Sequence, residues 1–206
     1  MDAVRLVVVS AGLRQPSSTR LLADRLAAAA ERELRQQGRD VHVRVLELRD
    51  YAVDIANNLV TGFPNPALGD ALKAVESADG LIVVSPIFSA SYSGLFKSFF
   101  DLIDPRALTG TPVVIAATGG SARHSLALEH ALRPLFSYLH ATVVPTAVYA
   151  ATEDWGGEAA EFVGRIDRAA GELSALLANR ESKWQDTDVE VEDDDDVIPF
   201  ERLLAG

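Results

Sequence analysis

Between Leu6 and Leu26 an apolar run passes straight into Arg14, Ser17, Ser18, Thr19 and Arg20 (LVVVSAGLRQPSSTRLLADRL). Adjacent hydroxyls and two guanidinium groups at the start of a helix are the donors that a phosphate needs, and the positive end of the helix dipole lies at the same place. A single Ser or Thr there would serve as an ordinary N-cap. Capping needs one hydroxyl, so three in a row with two arginines favour an anion. No P-loop pattern of the GxxxxGKS or GxxxxGKT type is present, and no GxGxxG follows the run. ATP hydrolysis and conventional dinucleotide binding lose most of their support.

Two other stretches have comparable chemistry. Pro86 to Gly94 (PIFSASYSG) sets Pro86, Phe88 and Tyr92 among small residues. That suits a flat apolar ring lying along a fixed stretch of backbone, or equally a Pro-aromatic turn that caps the core. Gly119 to His124 (GGSARH) pairs two glycines, so backbone amides there can approach a ligand with no Cβ in the way. A turn leading into a helix would also accept glycine. His124 and His130 are six apart and do not share a helix face, which argues against a paired metal site. Lys97 and Asp101 have the spacing of a helical ion pair.

What gives these loops weight is the framework that must position them. Val4 to Ser10, Gly80 to Ser85 and Pro112 to Thr118 are short β-branched apolar runs without alternation, as expected of strands covered on both faces. Val41 to Leu48 alternates and reads as an edge strand; Thr142 to Tyr149, interrupted by Pro145, reads as an edge or a strand end. Helical patterns lie between and after them at Ser18 to Gln37, Pro66 to Ala78, Ser93 to Asp104, Arg123 to Leu139 and Gly157 to Asn179. Strict β-α alternation implies right-handed crossovers and a three-layer α/β sandwich. The expected fold is flavodoxin-like, a five-stranded parallel sheet of order 2-1-3-4-5. In that order the loops after strands one, three and four meet in the crevice where strand order reverses. Those are the three loops already singled out.

The chain has 206 residues and is 48% hydrophobic, enough for one domain with a full core. We expect that domain over residues 1–180 and a tail over 181–206. There is no cysteine, so thiol redox chemistry, disulfides and thiolate metal sites are excluded, and a redox function must borrow a cofactor. The first apolar run is too short for a signal peptide or a membrane span, which makes a soluble cytoplasmic protein the expectation. The net charge of -11 disfavours nucleic acid as a partner, yet eight of the acids fall between Asp186 and Asp196, leaving the body near neutral. That acidic run should be solvated. Beyond it Val197, Ile198, Phe200, Leu203 and Leu204 form an apolar cluster expected to dock on the body or on a neighbouring subunit.

A phosphate site, an apolar slot and a Gly-lined polar edge match the phosphate, dimethylbenzene and pyrimidine ends of FMN. AGLRQPSSTR, SPIFSASYSGLFKSFFD and ATGGSARH resemble the NADPH-dependent FMN reductase family, with its patterns GSxRxxSxxR and PxYxxSxSGxLKxxxD and a Gly-rich third loop. The resemblance spans roughly residues 4 to 180. It implies a subunit that binds FMN and takes hydride from NADPH or NADH, possible supply of reduced flavin to a flavin-dependent monooxygenase, and no catalytic acid or base. By position, Arg14, Ser17, Ser18, Thr19 and Arg20 would hold the phosphate. Pro86, Ile87, Phe88 and Ser89 would line the ring, and Thr118, Gly119, Gly120 and Ser121 would meet the pyrimidine and ribityl groups. The family also implies a homodimer or homotetramer, with the helix after the second loop at the interface. The broad apolar stripe Leu95, Phe96, Phe99, Phe100, Leu102 and Ile103 fits that expectation. The competing functions are a quinone, azo or metal reductase using FMN, a flavodoxin-like electron carrier, and a flavin-free module.

Overall fold

The structure is a computed structural model in which residues 3–156 and 160–178 are described. The expectations for the acidic run and for the apolar cluster after it lie outside the described residues. Four long parallel strands form the centre: β1 (Val4–Ser10), β2 (Val41–Glu47), β3 (Gly80–Phe88) and β5 (Pro112–Gly119). A two-residue strand, β4 (Ser91–Tyr92), folds back antiparallel on β3. The predicted fifth strand is divided into β6 (Thr142–Val143) and β7 (Val148–Ala151), both parallel to β5. Pro145, which has no N–H to donate, lies in the gap. The path β2-β1-β3-β5-β6 is the predicted order, with the last strand in two pieces.

Alternate residues of each strand feed two cores. Val7 and Val9 of β1 face α2 (Ala52–Thr61), α3 (Pro66–Glu76), α4 (Gly94–Phe100) and α5 (Arg133–Tyr138), while Leu6 and Val8 face α1 (Ser18–Gln36) and α6 (Ala160–Ala178). These are the three layers expected of continuous apolar strands between helices. α1 is an Ala-rich helix capped by Ser17, and Gly38, at φ 72°, takes the left-handed conformation that ends it. α3 starts on the Asn65 side chain with Pro66 at its first position. Among the described residues no helix is long and apolar enough to cross a membrane.

Three sequence expectations change. Residues 52–61 form a helix that the pattern had not suggested, and the segment 123–139 is divided into a 3-10 turn (Ala122–His124), a π turn (Leu128–Leu132) and α5. The phenylalanines of α4 are core rather than surplus surface. Phe96, Phe99 and Phe100 are 0%, 0% and 1% exposed. Phe100 packs 4.7 Å from Phe96 and 4.9 Å from Phe136 in tilted and edge-on contacts. An intact subunit therefore has none of these rings available for a neighbour. Lys97 and Asp101, on the exposed side of the same helix, do form the expected ion pair.

Phe100→Ala should lower the unfolding free energy by about 3–5 kcal/mol, the cost of emptying a closed aromatic site. Urea denaturation measures it. A loss below about 1 kcal/mol would show that the ring is not held as described.

Candidate functional site

The carboxyl ends of β1, β3 and β5 are brought level by the sheet register, Ser10 beside Val84 and Pro86 beside Thr118. The first loop leaves β1 through Gly12, where an added Cβ would come within 2.0 Å of Ser17 Oγ, so a side chain there would displace the cap. Ser17 Oγ accepts the Arg20 N–H at 3.2 Å, so one of the three hydroxyls is the ordinary helix cap. Thr19 is buried, and its hydroxyl shares a 2.8 Å hydrogen bond with Thr118 Oγ1 at the end of β5. Ser18 is exposed, and its hydroxyl has no protein partner among the described residues.

The two arginines of this loop have different surroundings. Arg20 donates through Nε to Asp24 at 2.8 Å and through Nη1 to Glu47 at 2.6 Å. Those carboxylates, Asp24 foremost, raise its pKa further, and its charge is largely compensated. Glu47 also pairs at 2.8 Å with Arg49, whose guanidinium donates to the Arg14 carbonyl at 3.3 Å. Glu47 and Arg49 thus brace the first loop from the end of β2, a role that the alternating pattern of β2 did not reveal. Arg14 itself is exposed and, among the described residues, has no carboxylate partner.

The second loop is shaped by two serines. Ser85 Oγ donates to the Pro86 carbonyl at 2.9 Å and accepts the Ser93 N–H at 3.0 Å, while Ser93 Oγ accepts from Phe96 N–H at 3.2 Å to cap α4. At the turn between β3 and β4, Ser89 and Ala90 have φ of 46° and 70°, a left-handed pair that hairpin turns ordinarily fill with Asn and Gly. Phe88, 47% exposed, and Leu13, 50% exposed, give these loops open apolar surface. Pro86 is buried and Ile87 half-buried, so these two offer mainly backbone. In the third loop a Cβ on Gly120 would meet nothing within 4 Å, so it borders open space. Gly119 is closed on one side by Tyr149, whose hydroxyl donates to the Ser121 carbonyl at 2.9 Å.

Thr19, Thr118, Pro86 and the two glycines therefore belong to one sheet edge, and Arg20 is the predicted residue most fully engaged elsewhere. The arrangement has a helix start beside Arg14, an exposed cation with no carboxylate partner among the described residues, together with exposed apolar side chains and a glycine edge. None of the three loops contains an Asp or Glu. Among the described residues no cluster of metal-binding side chains occurs.

This combination defines a flavin-binding α/β protein. Residues 4–156 match the NADPH-dependent FMN reductase family, and the chain belongs to it. It is 42% identical over 182 residues to the NADH-dependent FMN reductase SfnF of Pseudomonas putida, covering 85% of this chain and 94% of that one. It is 43% identical over 179 residues to an FMN reductase (NADPH) of Pseudomonas aeruginosa, again covering 85% and 94%. An X-ray structure of an oxidoreductase from Corynebacterium diphtheriae superposes with a TM-score of 0.85 at 49% identity, covering 88% of this chain and 100% of that one.

Replacing Arg14 by Ala should weaken FMN binding roughly tenfold to a hundredfold, as expected for a lost charge-assisted hydrogen bond. Arg20→Ala should cost less, because its charge is already shared by two carboxylates. Riboflavin, which lacks the phosphate, should bind both variants as it binds the wild type. Equal losses for the two ligands in a flavin fluorescence titration would remove the phosphate from this loop. In contrast, Gly120→Val, checked for native circular dichroism, should impair FMN and riboflavin alike, and full affinity would refute a glycine-lined flavin edge.

Proposed function

We propose that this chain is an NAD(P)H:FMN oxidoreductase in which FMN lies across the three loops. Its phosphate is held by the amides at the start of α1, by Ser18 and by Arg14. Ser17 and Thr19 shape that seat more than they fill it. The ring runs along Pro86, Ile87, Phe88 and Ser89, and the pyrimidine edge faces Thr118, Gly119, Gly120 and Ser121. The observation that carries this reading is the convergence of a helix start, an apolar loop and a glycine loop at the reversal of strand order, locked by the Thr19–Thr118 bond. When bound, the flavin supplies the hydride-accepting centre. The protein's part is to fix the flavin's position and to present backbone donors to its polar edge. No side chain in the three loops is needed as a proton donor for that transfer.

The lack of carboxylates in these loops separates a reductase from a carrier. Loops that carry Arg14, Arg123 and His124 and no acid would attract an anionic dinucleotide, whereas a carrier docking on protein partners through acidic contacts would surround its flavin with acid. The exposed Phe88 and Leu13 leave room for a nicotinamide to approach the ring. The relatives' names divide between NADH and NADPH, and either nucleotide is compatible with these groups. We further infer that reduced flavin leaves the site to supply a flavin-dependent monooxygenase. Reduction of quinones, azo compounds or metal ions is the alternative fate of the electrons.

Oxidation of NADH or NADPH, followed at the nicotinamide absorbance band, should be slow without flavin and rise saturably with added FMN. A rate indifferent to FMN in flavin-free protein would sink the assignment.

A further inference from the structure

Tyr149, on β7, has no part in the reading above. It is 4% exposed and its hydroxyl donates to the Ser121 carbonyl at 2.9 Å. The ring passes beneath the third loop only because residue 119 is glycine: a Cβ there would stand 2.0 Å from the tyrosine oxygen. Burial, with a smaller contribution from Asp154, pushes the phenol above its usual pKa, so it remains a donor throughout the neutral range.

The consequence follows from the planarity of the peptide. In a trans peptide the carbonyl and the next N–H point in opposite directions. Drawing the Ser121 carbonyl down to Tyr149 therefore turns the Ala122 N–H away from Tyr149. Ala122 begins the 3-10 turn Ala122–His124, where first-turn N–H groups lack partners within the turn, and this N–H has no backbone acceptor among the described residues. The other end of the loop is tied down by Thr118 through its bond to Thr19. Between those two anchors lie two glycines, the residues least able to hold a peptide orientation by themselves.

We propose that Tyr149 is a positioning residue for the flavin: by holding the Ser121 carbonyl it aims the backbone donors of residues 120–122 at the pyrimidine edge. This rests on the flavin placement given under Proposed function. The reduced flavin, with extra negative charge at that edge, gains more from those donors than the oxidised one, so Tyr149 favours the reduced state.

The test is Tyr149→Phe, which keeps the ring and removes the donor. FMN and riboflavin affinities are measured by flavin fluorescence, reduced FMN affinity by anaerobic titration, and amide exchange of residues 119–125 in the flavin-free protein. Loss of one neutral hydrogen bond should weaken FMN and riboflavin equally, by roughly threefold to tenfold, with a larger loss for reduced FMN. Exchange of the Ser125 N–H, which donates to the Ala122 carbonyl at 3.0 Å, should quicken without flavin present. Gly119→Ala, which crowds the hydroxyl from the other side, should reproduce the pattern and decides the matter should Tyr149→Phe not fold. Unchanged affinity and exchange would overturn the proposal, as would a loss confined to FMN, because that would place the effect at the phosphate. A wild-type protein that binds no flavin at all would defeat the site assignment itself, and this proposal with it.

Discussion

The hydroxyl–hydroxyl bond between Thr19 and Thr118 joins two loops that are 99 residues apart in sequence. It is buried, so neither hydroxyl has water as an alternative partner, and losing one would leave the other unsatisfied at a cost of about 1–3 kcal/mol. More depends on it than stability. It sets the start of α1 against the end of β5, and those two positions bring a helix start and a glycine edge to the same end of the sheet. Parallel strands make this possible because every carboxyl end points the same way, and the reversal of strand order opens a gap that adjacent crossovers leave elsewhere filled.

Electrostatics then divides labour within the first loop. Two arginines near one helix start would repel each other and bind an anion without selectivity of place. Glu47 relieves this by engaging Arg20 and Arg49 together, and Asp24 adds a second partner to Arg20. Arg14 is left as the exposed cation, on a loop whose backbone Arg49 steadies through the Arg14 carbonyl. On the proposed placement, a buffered inner arginine and an open outer one would together attract the phosphate and orient it.

The layers, the strand order and the three loops were legible in the sequence, since buried parallel strands and helix starts have strong local signatures. What escaped has identifiable causes. The helix at residues 52–61 follows a 3-10 turn directly and carries Asn57 and Asn58 before Gly62, residues that read as loop; exposure of Val53 and Val60, at 73% and 87%, blurs its apolar stripe. The phenylalanines of α4 looked like surplus surface because a sequence does not show that Phe136 from another element fills in beside them. The sequence did not show that Arg20 is paired, because its partner Glu47 is 27 positions away, at the end of a different strand. Tyr149 was hidden in the same way. In an apolar strand a tyrosine reads as core, and only the fold reveals that its hydroxyl emerges under Gly119.

The account stands or falls on where the flavin lies. A crystal of the protein grown with FMN, viewed in difference density, tests this directly. The phosphate should sit at the start of α1 within reach of Ser18 and Arg14, the ring along Pro86 to Ser89, and the pyrimidine edge against Gly119 to Ser121. Density for FMN outside this crevice, or with its phosphate on the glycine loop and its ring over α1, would contradict it.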